Sequence, residues 1–297
     1  MKEKKRRTIV FDLDGSLETP YLSKKDVPSV KERLDREYGP GLFDRMYAEV
    51  LDGMPHFFLN GALELLQWVS AKGFDIVFFS NAVRARNEEL CPILMKRAFA
   101  GRRPPKFRIY SRADCIDTSY MHDEGERSRY NGLWHGNYKK RLAGVIVPPE
   151  ELADTLMIED DNSYACRGEE ANFVYGVYGG SSDKFLTYPR EWSMGSGDDF
   201  HLPFYFCGML ASILDYAQEH DCPLVDAAVY VQYTSRGLDF PRDGNRKKDK
   251  KGGYINVPYP PKEDMSIYRR GLKELRTINP ELDFWKRPKK SDLKNDK

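Results

Sequence analysis

The sequence predicts a doubly wound α/β fold, in which short strands of a parallel sheet alternate with helices. Three observations lead there. Thr8-Ile9-Val10-Phe11, Phe74-Asp75-Ile76-Val77-Phe78-Phe79 and Leu156-Met157-Ile158 are nearly continuous apolar runs rather than alternating ones. That is the pattern of strands buried on both faces. Between the first two lies a helical repeat, Ala62-Leu63, Leu65-Leu66 and Trp68-Val69, closed by Lys72-Gly73 as a stop. Finally, the three runs end directly in Asp12, Ser80 and Glu159-Asp160-Asp161. A parallel sheet of βαβ units binds its ligands beyond the carboxyl ends of its strands, the edge where these polar groups fall.

Taken in order, residues 1–220 read as the main domain, with two interruptions. Residues 20–55 carry Pro20, Pro28 and Gly39-Pro40-Gly41 around a helix from Val30 to Glu37, and read as an insertion over the end of the first strand. Residues 114–137, rich in Asp, Ser, Tyr, Asn and Gly, read as a second insertion, a hairpin or loop near the site. Residues 221–297 read as a basic, partly disordered C-terminal extension, in which Ala227-Ala228-Val229-Tyr230-Val231 suggests one more strand.

Composition narrows the class. Of 297 residues 40% are hydrophobic, enough for a sizeable core, and the formal charge of +1 gives no support to nucleic-acid binding as the main activity. No apolar run is long enough to span a bilayer, and the stretch after the basic N-terminus is broken at once by Asp12 and Asp14. The five cysteines are scattered and form no C-x-x-C pair, which suits free thiols in a reducing compartment. A soluble, cytoplasmic protein is expected.

The chemistry begins at Asp12-Leu13-Asp14-Gly15-Ser16. Of two carboxylates on a strand-to-loop transition, Asp12 can attack phosphorus and also ligate a metal, while Asp14 can protonate a leaving oxygen and then activate water. A carboxylate facing a phosphate dianion needs a cation between them, hence Mg2+ with oxygen ligands. A calcium loop is excluded because Leu17 and Ser23 stand where that motif wants Gly and Glu. Ser80, followed by Asn81, offers a hydroxyl and an exposed N–H that can hold a phosphoryl oxygen. Lys140 can neutralise phosphate and nucleophile together, although Lys139-Lys140-Arg141 also has the look of a solvated cationic face. Three acids at 159–161 repel one another unless a cation sits among them.

The order Asp-x-Asp, Ser, Lys, Asp-Asp resembles the haloacid-dehalogenase (HAD) superfamily. Tyr110-Ser111-Arg112-Ala113-Asp114-Cys115, Gly136-Asn137-Tyr138-x-Lys140-x-Leu142, Ile158-x-Asp160-Asp161-x-Ser163-Tyr164 and Asp198-Asp199-x-x-Leu202-Pro203 are similar to its RNA polymerase II C-terminal-domain phosphatase and NLI-interacting-factor-like branch. The resemblance covers roughly residues 5–220. It implies a Rossmann-like core, a phospho-aspartate at Asp12, Asp14 as acid/base, and Ser80, Lys140 and Arg112 on the phosphoryl group or substrate. Mg2+ would sit on Asp12, the Asp14 carbonyl and Asp161, with Asp160 close by. Ser16 replaces the usual Thr, and Asn162-Ser163 replaces the usual proline after the acidic pair.

Other functions compete. Cys91 and Arg97 have the C-x5-R spacing of cysteine phosphatases, but the bulky apolar residues between them read as a core helix. The basic runs 246–251 and 286–290 could touch anionic lipid or nucleic acid. Because the insertion at 20–55 is small, an open site and a phosphoprotein substrate are expected, with phosphoserine/threonine and phosphotyrosine both open. A small phosphomonoester is the alternative, and a non-catalytic scaffold a further one.

Overall fold

The computed structural model describes residues 6–19, 24–38, 40–121, 123–130, 137–176, 202–236, 240 and 265–280. In chain order these form β1 (Thr8–Phe11), β2 (Glu18–Thr19), α1 (Val27–Tyr38), α2 (Leu42–Met46), β3 (Tyr47–Val50), β4 (Met54–Phe58), α3 (Ala62–Ala71), β5 (Asp75–Phe79) and α4 (Arg84–Ala98). There follow β6 (Phe107–Tyr110), β7 (Ile116–Asp117), α5 (Glu124–Ser128), β8 (Tyr138–Lys139), β9 (Thr155–Glu159), β10 (Phe173–Tyr175), α6 (Leu202–His220), α7 (Leu224–Gln232) and α8 (Met265–Ile278).

The fold is α/β, built on a five-stranded parallel sheet of order β10-β9-β1-β5-β6. The continuous apolar runs take this form because both faces are covered. Along β1, Ile9 and Phe11 join one core cluster and Val10 the other. β5 divides in the same way, with Ile76 and Phe78 on one side and Val77 and Phe79 on the other. The larger cluster packs α3, α4, α6, α7 and α8 against the sheet. Among the described residues, the smaller face is closed by Leu142, Ile146, Val147 and Ala165, which lie in loops. The chain leaves β1 for β5 and β6 on one side and returns to β9 and β10 on the other. β1 is therefore the point where the strand order reverses, and the crevice beyond its carboxyl end is the favoured ligand position.

The segment expected as the first insertion, 20–55, holds α1, α2 and β3. β3 joins a three-stranded antiparallel sheet, β2-β4-β3, whose β2 precedes that segment and whose β4 runs past its end. Val30, Leu42, Phe43, Met46 and Phe57 pack into a small cluster of their own. α1 contains the helix expected from Val30 to Glu37. β7, inside the segment expected as the second insertion, pairs antiparallel with β8, which lies just beyond its expected end at 137.

One expectation is corrected. Residues 227–231 lie in helix α7, not in a strand. The buried positions Leu224, Ala227, Ala228 and Val231 follow the i, i+3, i+4, i+7 spacing of one helix face. α8 lies along α6, with the two backbones in contact: a Cβ on Gly271 would stand 1.7 Å from the Phe204 carbonyl oxygen, and one on Gly208 would stand 1.9 Å from that of Ile267. Leu275 of α8 is fully buried in the same cluster as β1. The basic runs at 246–251 and 286–290 and the pair Asp198-Asp199 lie outside the described residues. No helix among the described residues is long and apolar enough to cross a membrane.

Candidate active site

The site forms where β1, β5 and β9 end. Asp12 carries the ladder one residue beyond β1, its N–H donating to the Ile158 carbonyl at 3.0 Å, so its backbone is fixed by the sheet. The chain then coils around the Leu13 carbonyl, which accepts from the N–H groups of Ser16 (3.2 Å), Leu17 (2.9 Å) and Glu18 (2.9 Å). This tight loop needs a left-handed residue, and Gly15 has φ 79. It also needs a residue without a side chain, because a Cβ there would stand 2.2 Å from Asp160 Oδ2.

Lys140 is wholly buried, and its Nζ donates to Asp12 Oδ1 at 2.6 Å and to Glu159 Oε2 at 2.6 Å. Its ammonium lies 4.4 Å from the centre of the Tyr164 ring. The cationic run 139–141 is thus no solvated face at its first two positions. Lys139 is buried too and donates to the Ser163 carbonyl at 2.5 Å. Burial works against the Lys140 charge, but Asp12 and Glu159 outweigh it and hold the ammonium well above its ordinary value.

Asp12, Glu159 and Asp160 can each offer a carboxylate oxygen within 4.8 Å of the others. Burial pushes Asp12 up to about 6, opposed by Lys140 and helped by Asp14. Burial and then the Asp12 charge push Asp160 up to about 7 and raise Glu159 well above the usual carboxylate range. Three carboxyl groups share a single ammonium, so ionising all three together calls for two further positive charges. A divalent cation with oxygen ligands fits that donor set. Asp161, expected as a ligand, stands outside this trio. It lines the adjoining cavity and accepts the Ser163 N–H at 2.8 Å.

Asp14 sits differently. Its Oδ1 accepts from Arg86 Nη1 at 2.5 Å, and its Oδ2 from Arg86 Nη2 at 2.7 Å and from Ser80 Oγ at 2.8 Å. Burial would raise this carboxyl, but the hydrogen bonds and charge of Arg86, with Ser80, bring it down to about 2. Ser80 itself is fully buried, and its hydroxyl also receives Arg86 Nη2 at 3.1 Å and the Ala82 N–H at 3.2 Å. Behind Arg86 stands Glu18 of β2, whose Oε1 accepts from Nη1 at 3.2 Å and whose Oε2 lies 2.9 Å from His56 Nδ1 of β4. Burial and then Arg86 bring His56 down to about 4, so its ring is neutral.

A cavity of about 320 Å³ opens over these groups, lined by Asp12, Asp14, Gly15, Asn81, Ala82, Arg112, Asp160, Asp161 and Tyr164. Arg112 is fastened to the Asn81 carbonyl through Nε (3.1 Å) and Nη2 (2.9 Å), and Asn81 Nδ2 donates to the Tyr164 hydroxyl at 3.3 Å. Among the described residues, none between 24 and 58 contributes to this lining.

Comparison with known proteins adds distant likenesses. No protein-family model matches the chain, and no curated protein matches it. Among solved structures, Fcp1, described as an essential RNA polymerase II CTD phosphatase, is 16% identical with a TM-score of 0.33. A variant of the fission yeast Fcp1 phosphatase bound to beryllium fluoride gives the same values. Each of these two matches covers 58% of this chain and only 42% of the Fcp1 chain. A hydrolase from Pseudomonas syringae is 17% identical with a TM-score of 0.26, over 53% of this chain and 76% of its own.

The residues singled out in the sequence thus converge: Asp12, Asp14, Asn81, Arg112, Asp160 and Asp161 share one cavity, and Lys140 and Ser80 stand directly behind it. Sequence reasoning missed Arg86, Glu18 and His56. A signal existed for Arg86. The buried face of α4 runs Arg86, Asn87, Leu90, Cys91, Leu94, Met95, Ala98, so helical phase places a cation on an apolar stripe, where it must have a partner. Cys91 lies on that same stripe, and burial raises its thiol far above the range of a nucleophilic cysteine.

Proposed function

We propose that this chain is a magnesium-dependent phosphatase of HAD type, with Asp12 as its nucleophile and a phosphoprotein as its substrate. The observation that carries the reading is Asp12 itself. It is fixed at the sheet's reversal point, paired to Lys140 at 2.6 Å, and set with a carboxylate oxygen within 4.8 Å of those of Glu159 and Asp160. Asp12, Glu159 and Asp160 would hold Mg2+, and the resemblance adds Asp161, which lines the same cavity, and the Asp14 carbonyl as further oxygen donors. Bound there, the ion supplies the positive charge that lets a carboxylate approach a phosphate dianion.

The chain's own groups do the rest. An Asp12 oxygen attacks phosphorus as the bond from phosphorus to the leaving oxygen breaks, and the leaving oxygen takes a proton from water, giving phospho-Asp12 and the dephosphorylated product. Asp14 is already ionised and is not the donor. A water then attacks the same phosphorus and gives its proton to Asp14, and the bond to Asp12 breaks, releasing inorganic phosphate. Asp14, ionised beside Arg86, is ready for that second step. Lys140 neutralises Asp12, Arg112 and Asn81 edge the cavity where phosphoryl oxygens would lie, and Ser80 acts behind Asp14.

A phosphate carried on a protein chain suits a cavity whose lining comes from the core loops and not from the insertion. The test is turnover of phosphoserine, phosphothreonine and phosphotyrosine peptides, with sugar phosphates in parallel, with Mg2+ and after its chelation. Peptide turnover that needs Mg2+ and disappears in Asp12→Asn is expected. Full turnover by Asp12→Asn would overturn the mechanism, and selective turnover of sugar phosphates would overturn the substrate assignment.

A further inference from the structure

Arg86 has no part in the chemistry above, yet it touches Asp14 in the cavity lining and Ser80 behind it. It projects from α4, its side chain is 7% exposed, and every face of its guanidinium is engaged. Nη1 and Nη2 grip the two oxygens of Asp14 in parallel. Nη2 also reaches Ser80 Oγ, Nη1 reaches Glu18 Oε1, and Nε and Nη2 both donate to Asn87 Oδ1, at 3.1 and 3.0 Å. The groups it gathers come from the loop after β1, the end of β5, β2 and α4.

Such a fork fixes more than a charge does. Two parallel hydrogen bonds set the plane of a carboxylate as well as its place, whereas a lysine in the same position sets only a point of charge. The Asp14 side chain is 34% exposed and lines the cavity. It is thus held from behind while one flank faces the space over Asp12. The hold is itself secured from the small sheet, since Glu18 and His56 are both fully buried and in contact with each other. On this geometry the small sheet supports the site from behind and does not cover it.

We propose that Arg86 is the positioning residue for Asp14: its fork, anchored by Ser80, Asn87 and Glu18, keeps the carboxylate in the one orientation from which it can take a proton from water attacking phospho-Asp12. The inference rests on the phosphatase reading and deepens it. It assigns Arg86 to the second half of the reaction. Loss of the fork slows release of phosphate from Asp12 more than transfer of phosphate to it.

The test uses the full chain with Mg2+ and p-nitrophenyl phosphate, whose leaving group needs little protonation. For wild type, Arg86→Lys and Arg86→Ala, kcat, KM, the thermal midpoint and the steady-state fraction of phosphorylated enzyme are measured. Arg86→Lys is expected to stay folded and to lose kcat on the order of 10²-fold, the usual cost of a misplaced catalytic group, with KM falling alongside so that kcat/KM changes far less. Phosphorylated enzyme is expected to build up, and added guanidinium ion at low millimolar concentration to restore part of kcat in Arg86→Ala. A folded Arg86→Lys with kcat within about threefold of wild type would overturn the positioning role. So would a kcat loss that follows only the folded fraction, with no build-up of phosphorylated enzyme and no rescue. A wild-type protein that never becomes phosphorylated at Asp12 brings down the phosphatase reading itself, so the two failures are separate.

Discussion

Replacing Lys140 with Met keeps most of the side chain's volume and removes the ammonium that faces Asp12 and Glu159. With both contacts at 2.6 Å and the lysine fully buried, each attraction amounts to about 6 kcal/mol before desolvation is subtracted, at the effective dielectric of ~20 that suits such pairs. Breaking a buried pair by deleting one partner costs about 3–5 kcal/mol, because the other partner stays buried without compensation. Here two carboxylates stay behind, so the upper part of that range is expected at pH 8. The cost must depend on pH, and its sign follows from the folded carboxyls. Asp12 at about 6, Asp160 at about 7 and the raised Glu159 bind protons more tightly in the folded chain than in the unfolded one. Stability therefore rises as pH falls through those values, and the rise is larger once the ammonium is gone. Urea unfolding without divalent cation, followed by tryptophan fluorescence, should show Lys140→Met losing about 4 kcal/mol at pH 8 and less than half of that at pH 5. Equal losses at both pH values would mean that the cost is one of packing, and would refute the electrostatic account.

Two further predictions concern glycines. Gly15→Ala forces a Cβ into left-handed backbone and against Asp160, so the dependence of thermal stability on Mg2+ should shift to roughly tenfold higher concentration or beyond; an unchanged titration would separate that loop from the metal trio. Gly271→Ala should cost at least about 2 kcal/mol in urea unfolding, because backbone must move where α8 meets α6. An ordinary helical glycine would instead gain up to about 1 kcal/mol from the same change, and that gain would refute the contact.

Much of the central architecture was legible because its signals are local. Strands covered on both faces have to be apolar along their whole length, and the polar residue that ends each run has to sit at the sheet's edge. That logic places Asp12 and the acids after β9 in one crevice from stretches far apart in the chain. It fails where burial depends on a distant partner. Lys139 and Lys140 look like surface cations until Asp12, Glu159 and the Ser163 carbonyl are brought to them. Arg86 follows Arg84, which is 55% exposed at its side chain, and only helical phase distinguishes the two. Glu18 and His56 stand just outside the two ends of the insertion expected at 20–55, in short strands too brief to announce a sheet. α7 reads as a strand in the sequence because Ala227-Ala228-Val229-Tyr230-Val231 is apolar over a length that suits either element, and the burial spacing that decides between them becomes visible only in three dimensions.

The docking of α8 has a consequence for how the chain is made. Trp68 Nε1 donates to Glu274 across 206 positions of sequence, and Asn279 reaches back to Glu64 across 215. When a ribosome has synthesised the sheet and α6, the flank of α6 that α8 will cover is still bare, with Phe204 and Gly208 exposed along it. Closure of the main core has to wait until residue 275 clears the exit tunnel. During that interval the nascent protein presents a sticky apolar groove, the kind of surface that holdase chaperones bind and that favours aggregation at high expression.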